Sequence, residues 1–188
     1  MTFLSVIFII GLSGITAQII VLRELLVNFY GNELTIGIIL ANWVILEAIG
    51  AFIAGRVIEK VKNKLNVFIV LNLLFALVLP CVVYFARVFK GVIGIPFIEA
   101  VSLTVIFISA FVINLPLALL HGALFSSGCK VYSLISGDKE QAIGRVYAWE
   151  MLGTIAGGIA LAYFFIPRLN SFQTVFIISF WLKRKILP

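Results

Sequence analysis

The sequence predicts an all-α integral membrane protein, a polytopic bundle of about six transmembrane helices that forms a single domain over residues 1–188. Of its residues, 63% are hydrophobic and only 12% are charged, whereas a soluble domain carries about 25% charged residues. The apolar residues also form runs of about 20, the length that crosses a bilayer as a helix. A membrane barrel would show shorter alternating runs of about 10 residues, so helices are predicted.

The predicted spans follow one another with short connections. The first run lacks the basic start of a cleavable signal peptide and stays apolar to Val27, so it is interpreted as a span. Span four is long, and Pro116 offers a site for a kink. The last segment has about 11 residues, too few to cross, and is predicted to be incomplete or interfacial. The predicted spans cover residues 3–27, 34–55, 65–86, 97–125, 144–166 and 172–182.

The connections are short turns at 28–33 and 167–171, a basic loop at 56–64, a second short loop at 87–96 and a longer polar stretch at 126–143. Counting Lys and Arg on the two sides of the predicted spans favours a cytoplasmic N-terminus in the cell inner membrane. Ten basic residues then lie inside and four lie outside, although the count becomes seven against seven if the last segment does not cross. Membrane orientation thus accounts for the net charge of +6, and no nucleic-acid partner is needed to explain it. The four outer residues would be Arg23, Arg87, Lys90 and Arg168.

Two carboxylates lie inside predicted spans, where ionisable groups are costly and mark functional sites by default. Glu47 is about 13 Å from the inner end of its span and Glu150 about 16 Å, at 1.5 Å per helical residue. At similar depth, two facing carboxylates would share a proton or bind a small cation. The alternative is purely structural, with each carboxylate paired to an arginine or to backbone amides.

Arg23 and Glu24 complete the set of candidate intramembrane polar residues. They lie near the outer end of span one, where an interfacial anchor is the simpler interpretation. His121, the single histidine, makes no metal site and is expected to cap or be solvated near the inner interface. The sequence predicts no catalytic, cofactor-binding or metal-ligating residue.

A short internal similarity suggests a repeat. Glu47 is followed by Gly50 and Ala54, and Glu150 by Gly153 and Gly157, at the same spacings. Three spans separate the two segments, so they would run in opposite directions, as in a 3+3 inverted repeat of a transporter. Coincidence among small residues is the alternative.

Small residues four apart predict close helix packing. The pairs are Gly50 with Ala54, Ala51 with Gly55, and Gly153 with Gly157. Three intramembrane asparagines are predicted to donate hydrogen bonds between helices, namely Asn42, Asn72 and Asn114.

Two separated motifs resemble a known membrane region. The first comprises Ser13-Gly-Ile-Thr-Ala-Gln18, Leu22-Arg-Glu-Leu-Leu26 and Tyr30-Gly-Asn-Glu33. The second comprises Gly144-Arg-Val-Tyr-Ala-Trp-Glu150, Leu152-Gly153, Gly157-Gly158 and Ile166-Pro-Arg168. The chain resembles the N-terminal transmembrane domain of bacterial and archaeal spermidine-synthase-like proteins, the polyamine aminopropyltransferases with fused membrane helices.

That resemblance implies a soluble domain that transfers an aminopropyl group from decarboxylated S-adenosylmethionine to putrescine. No nucleotide-binding segment is found before Pro188, so no catalytic residue is carried over. The chain is expected to be a truncated or separately encoded membrane part that makes no spermidine alone. A weaker resemblance, through Gly55-Arg56, Glu59-Lys60 and Lys62, is to half of a major facilitator transporter.

Three hypotheses follow for the function. The chain is a non-catalytic membrane domain that anchors or serves a soluble aminopropyltransferase, a transporter-like bundle that moves a small cation or polyamine, or a structural membrane subunit. The expected partners are the lipid bilayer, an aminopropyltransferase domain or subunit and a small cationic substrate, with no nucleic acid.

Overall fold

The computed structural model describes residues 3–96 and 101–186, and within them the chain forms six helices and no strand. Five of the helices, all but the last, are long and apolar enough to cross a membrane. The prediction of an all-α fold is therefore confirmed, and the five candidate spans support the prediction of a polytopic membrane protein. The helices are α1 (Phe3–Phe29), α2 (Glu33–Lys60), α3 (Lys64–Val92), α4 (Leu103–Ser136), α5 (Lys139–Ala160, then the π-helical turn Leu161–Phe165 and Ile166–Arg168) and α6 (Ser171–Ile186).

Most helices extend beyond the predicted spans, so several predicted loops are wrong. Helix α2 continues to Lys60, α3 to Val92 and α4 to Ser136. Hydropathy finds the part of a helix that lies in hydrocarbon, whereas the helix itself ends where side chains cap the backbone. Asn32, Asn63, Ser102 and Asp138 are such N-caps, and α4 ends at Gly137 in the left-handed conformation. The predicted start of span four, at 97–100, lies outside the described residues.

The last helix is longer than the predicted segment at 172–182. Helix α6 has 16 residues and is not among the five span candidates. It packs along α3, where Phe176, Ser179 and Phe180 share an apolar groove with Leu77 and Pro80. It is therefore part of the bundle.

Two helix pairs, α1 with α5 and α2 with α4, form the closest contacts of the bundle. In the first pair, a Cβ on Gly153 would overlap the carbonyl of Phe8, and a Cβ on Gly11 would overlap the carbonyl of Glu150. Small residues thus let the two backbones touch. The predicted close packing at Gly153 and Gly157 is confirmed, since Gly157 also lies against the backbone of Leu12.

The second pair is built in the same way. A Cβ on Gly50 would overlap the carbonyl of Leu119, and one on Gly122 would overlap the carbonyl of Glu47. The prediction for Gly50 is confirmed. In the pair of Ala51 and Gly55, Ala51 lies close to α4, since Ser126 Oγ donates to its carbonyl at 2.7 Å. A Cβ on Gly55 would make only an ordinary van der Waals contact, with Ser126 Oγ at 3.9 Å.

Buried asparagines also hold α2 against α4. Asn42 Nδ2 donates to the carbonyl of Phe107 at 3.0 Å, and Asn114 Nδ2 donates to the carbonyl of Ile39 at 3.2 Å. These two predicted interhelical bonds are confirmed. The prediction for Asn72 is wrong, because its Nδ2 donates to the carbonyl of Phe68 in its own helix at 2.8 Å. A short asparagine side chain reaches the carbonyl of the preceding helical turn.

Candidate functional site

Helix α4 places His121 between the two predicted carboxylates. His121 Nδ1 is 2.6 Å from Glu47 Oε1 on α2, and His121 Nε2 is 3.8 Å from Glu150 Oε1 on α5. A single imidazole ring therefore separates two carboxylates from different helices. The three residues are called the Glu–His–Glu cluster below.

The expectation that His121 caps a helix or is solvated is wrong. His121 is only 7% exposed and lies in the interior of α4. The expectation failed because α4 extends to Ser136, which moves His121 from the predicted end of a span to the middle of a helix. The rings of Phe75 and Trp43 lie 5.9 and 6.5 Å from the imidazole, centroid to centroid, so its surroundings are largely apolar.

The two carboxylates differ in their surroundings. The Glu150 side chain is 7% exposed and the Glu47 side chain 32% exposed. Glu47 Oε2 also accepts a hydrogen bond from Trp43 Nε1 at 3.2 Å. Glu47 is thus the better satisfied and more accessible member, and Glu150 the more deeply buried one.

Glycines at the helix crossings bring the cluster together. Gly122, next to His121, lies against the Glu47 carbonyl, and Gly11 lies against the Glu150 carbonyl. On α1, a Cβ at Gly14 would overlap His121 Nε2. The imidazole therefore occupies space that exists because residue 14 has no side chain, which couples packing to the position of the ring.

A cavity of about 280 Å³ opens onto the cluster. It combines the carboxylates with an amide, a hydroxyl and aromatic rings, which are the groups that recognise organic cations. Its walls come from α1, α2, α4 and α5. The lining residues are Gly14, Ile15, Gln18, Trp43, Glu47, His121, Phe125, Tyr147, Glu150, Met151 and Thr154.

The other two predicted residues lie in a separate region. Glu24 accepts two hydrogen bonds from Arg87, from Nε at 2.9 Å and from Nη2 at 2.8 Å. The Arg87 guanidinium also lies 4.5 Å from the centroid of the Phe172 ring. Arg23 lines a cavity of about 540 Å³ beside this pair. The structure thus divides the four predicted residues into two sites, Glu47 with Glu150 and Arg23 with Glu24.

His121 joins the two carboxylates, a role that was not predicted from the sequence. A signal for it existed: an ionisable side chain within an apolar run, followed directly by a glycine. The rule that intramembrane ionisable residues are functional by default applies to it as it does to the glutamates. Its partners were hidden because they lie 74 residues away at Glu47 and on a third helix at Glu150.

In the described part of the chain, no group of three or more His, Cys, Asp or Glu side chains is arranged to hold a metal ion. The two cysteines, Cys81 and Cys129, are both free. The Glu–His–Glu cluster can accept hydrogen bonds from ammonium groups and can hold or release protons.

No protein-family model matches the chain, and comparisons with curated proteins and with solved structures also found no match. The resemblance to spermidine-synthase-like membrane domains therefore stays a prediction.

Proposed function

We propose that this chain is a transporter-like membrane bundle that binds and moves a small organic cation at the Glu–His–Glu cluster. One observation carries the proposal: Glu47 and Glu150 converge on a cavity, and their ion pairs among the described residues are with His121. A carboxylate inside a membrane requires a cation, a proton or a ligand. A Lys or Arg partner would keep its positive charge permanently. In this cluster the partner of the two carboxylates is His121, and histidine is a side chain that gains and loses a proton near neutral pH.

The cavity suits a diamine or polyamine. Two carboxylates separated by one ring provide two acceptor points for ammonium groups. Trp43, Phe125 and Tyr147 supply aromatic surface for cation–π contact and for the apolar linker of such a molecule. A compact metal ion would make no use of this aromatic lining.

The motifs that resemble spermidine-synthase-like proteins support the same ligand class. The motif at 13–18 on α1 contains Gly14, Ile15 and Gln18, and the motif at 144–150 on α5 contains Tyr147 and Glu150. Both motifs thus contribute walls of the cavity. This observation also favours a second candidate function, a membrane domain that receives polyamine for, or delivers it to, a soluble aminopropyltransferase.

We also propose that the bundle is a 3+3 inverted repeat. The support is that Gly50 and Gly153, each three residues after a cluster glutamate, both pack on a carbonyl of the partner helix. The reciprocal contacts, Gly122 on Glu47 and Gly11 on Glu150, are equivalent too. Such repeats place the substrate site at their interface, where one half rocks against the other.

Cation binding is tested by thermal unfolding of the purified protein in detergent, with and without millimolar putrescine. A ligand stabilises by mass action, about 2.7 kcal/mol at a concentration 100 times Kd, so putrescine should raise the melting temperature of the wild type. Glu47→Gln and Glu150→Gln should each abolish this shift. Glu59→Gln, a matched control on α2 whose side chain pairs with Lys130 outside the cavity, should retain it.

The outcomes separate the three candidate functions. No putrescine-dependent shift in the wild type would refute the binding proposal and favour a structural subunit. A shift that survives both substitutions would move the site elsewhere. If binding holds, uptake of labelled putrescine by liposomes containing the protein distinguishes transport from service to a soluble enzyme, because only transport accumulates the label.

For orientation we propose a cytoplasmic N-terminus in the inner membrane. The support is the predicted excess of Lys and Arg at one end of the bundle. Single cysteines at Asn63 and Gly31, in a background without Cys81 and Cys129, should react with an impermeant thiol reagent from opposite sides of the membrane. Labelling of Asn63 from outside would reverse the orientation.

A further inference from the structure

We infer that the Glu–His–Glu cluster exchanges protons for its cation, with His121 carrying one of the exchanged protons. The inference rests on the proposed function and adds how binding is coupled. It starts from the two ring nitrogens of His121, which face carboxylates on opposite sides.

Hydrogen counting shows that the empty cluster holds more protons than a neutral imidazole provides. A neutral imidazole has one N–H, which serves Glu47 across the 2.6 Å contact. The lone pair of Nε2 would then face Glu150 Oε1 at 3.8 Å, two electron-rich atoms with no proton between them. Nε2 makes no hydrogen bond to a described residue within normal geometry and is buried. A second proton, on Nε2 or on Glu150, removes this conflict.

Charge leads to the same conclusion. Two carboxylates beside a neutral imidazole carry a net charge of −2, which is costly in the apolar interior of a bundle. One extra proton changes this charge to −1. A second extra proton, which gives an imidazolium ring and one neutral carboxyl group, changes it to zero. The empty cluster is therefore close to neutral only when it is protonated.

A bound dication replaces these protons. Its two ammonium groups donate hydrogen bonds to Glu47 and Glu150, and they bring the charge of +2 that the protons supplied before. The N–H bond at His121 Nε2 and the O–H bond of the carboxyl group then break, and each proton passes to water in the cavity. No electron is transferred. Binding of one dication thus releases two protons, one from His121 and one from a carboxyl group.

The groups around His121 limit where the protons reside. Among the described side chains, α2 presents Glu47, and α5 presents Glu150 and the hydroxyl of Tyr147. On α4 itself Cys129 lies about two turns away. The neighbouring α1 and α3 offer the backbone of Ile10, Gly14 and the ring of Phe75, none of which titrates.

Isothermal titration calorimetry of the full chain in detergent tests the exchange. Putrescine is titrated at one pH in buffers of different ionisation enthalpy, and the slope of observed heat against that enthalpy counts the protons released. We expect at least one proton per putrescine in the wild type, with affinity falling about tenfold per pH unit of acidification for each proton displaced. Glu59→Gln should behave as the wild type.

His121→Gln identifies the group that carries the proton. Glutamine keeps an N–H donor for Glu47 but does not titrate, so we expect binding with about one proton fewer and a weaker dependence on pH. Absence of binding in the wild type would overturn the proposed function itself. Binding without proton release would overturn the exchange and leave the proposed function standing. Unchanged release in His121→Gln would overturn the role of His121. Should this variant not fold, His121→Asn takes its place, and the wild-type proton count still decides the exchange.

Discussion

Two buried carboxylate sites of this bundle solve the same electrostatic problem in different ways. At one end, Glu24 on α1 is held by Arg87 on α3 through two hydrogen bonds of 2.9 and 2.8 Å. Deeper between the helices, Glu47 and Glu150 have only His121 within ion-pair distance among the described residues. Arginine keeps its charge at every physiological pH, whereas histidine gains and loses its charge near neutrality.

The identity of the cationic partner distinguishes a carboxylate with a structural role from one that can bind a ligand. Glu24 is neutralised permanently, so it stabilises the packing of α1 on α3 and has little reason to bind a ligand. Glu47 and Glu150 are neutralised by groups that exchange, and they face a cavity. The kind of partner, more than burial alone, therefore indicates which intramembrane carboxylates are candidates for function.

The largest expected effect comes from breaking the permanent pair. Arg87→Ala leaves the carboxylate of Glu24 buried, 10% exposed, without its cation. We expect a loss of about 3 kcal/mol in unfolding free energy, at the lower end for a buried pair since Arg87 is partly exposed. Chemical denaturation in mixed micelles measures it, and putrescine binding should persist.

The matched control for that prediction is Lys130→Ala, which breaks the exposed pair with Glu59. Exposed pairs contribute about 0–1 kcal/mol, so this variant should unfold almost as the wild type does. Equal losses in the two variants would contradict the structural role given to Glu24 and Arg87.

A smaller effect on stability, but a large one on binding, is expected for Gly14→Ala. The added Cβ would overlap His121 Nε2, and overpacking costs about 1–3 kcal/mol. Because the ring tip must move away from Gly14 and so leave its position between the two carboxylates, we expect the putrescine-dependent shift in melting temperature to disappear. Gly158→Ala, where an added Cβ meets no atom within 4 Å, should keep the full shift.

The smallest effect on stability is expected for Glu150→Gln in the absence of cation. Glutamine resembles a protonated carboxyl group in shape and charge, and His121 keeps Glu47 as its ion-pair partner, so the substitution leaves no buried charge without a partner. We expect unfolding free energy to change by less than about 1 kcal/mol, in contrast to Arg87→Ala. A loss as large as that of Arg87→Ala, measured in the same micelles, would show that Glu150 is a structural residue.

Hydropathy was sufficient to predict a bundle of long apolar helices and to place Glu47 and Glu150 within two of them, because lipid imposes long apolar runs on any helix that crosses it. Helix ends were predicted poorly, since Asn63 and Asp138 cap the backbone outside the apolar runs. Pairings between distant helices were not predictable. Glu24 and Arg87 are 63 residues apart, and the rotation of α4 that directs His121 toward the glutamates depends on the contacts of Gly122 and Gly14.

Infrared difference spectroscopy of the protein before and after addition of putrescine tests the central claim most directly, because the carbonyl stretch of a protonated carboxyl group is distinct from that of a carboxylate. We predict that putrescine binding removes a protonated-carboxyl band from the wild-type spectrum, that Glu150→Gln or Glu47→Gln eliminates this change, and that Glu24→Gln leaves it intact. A spectrum in which putrescine changes no carboxyl band, or in which the change disappears with Glu24→Gln and survives Glu47→Gln and Glu150→Gln, would contradict the account.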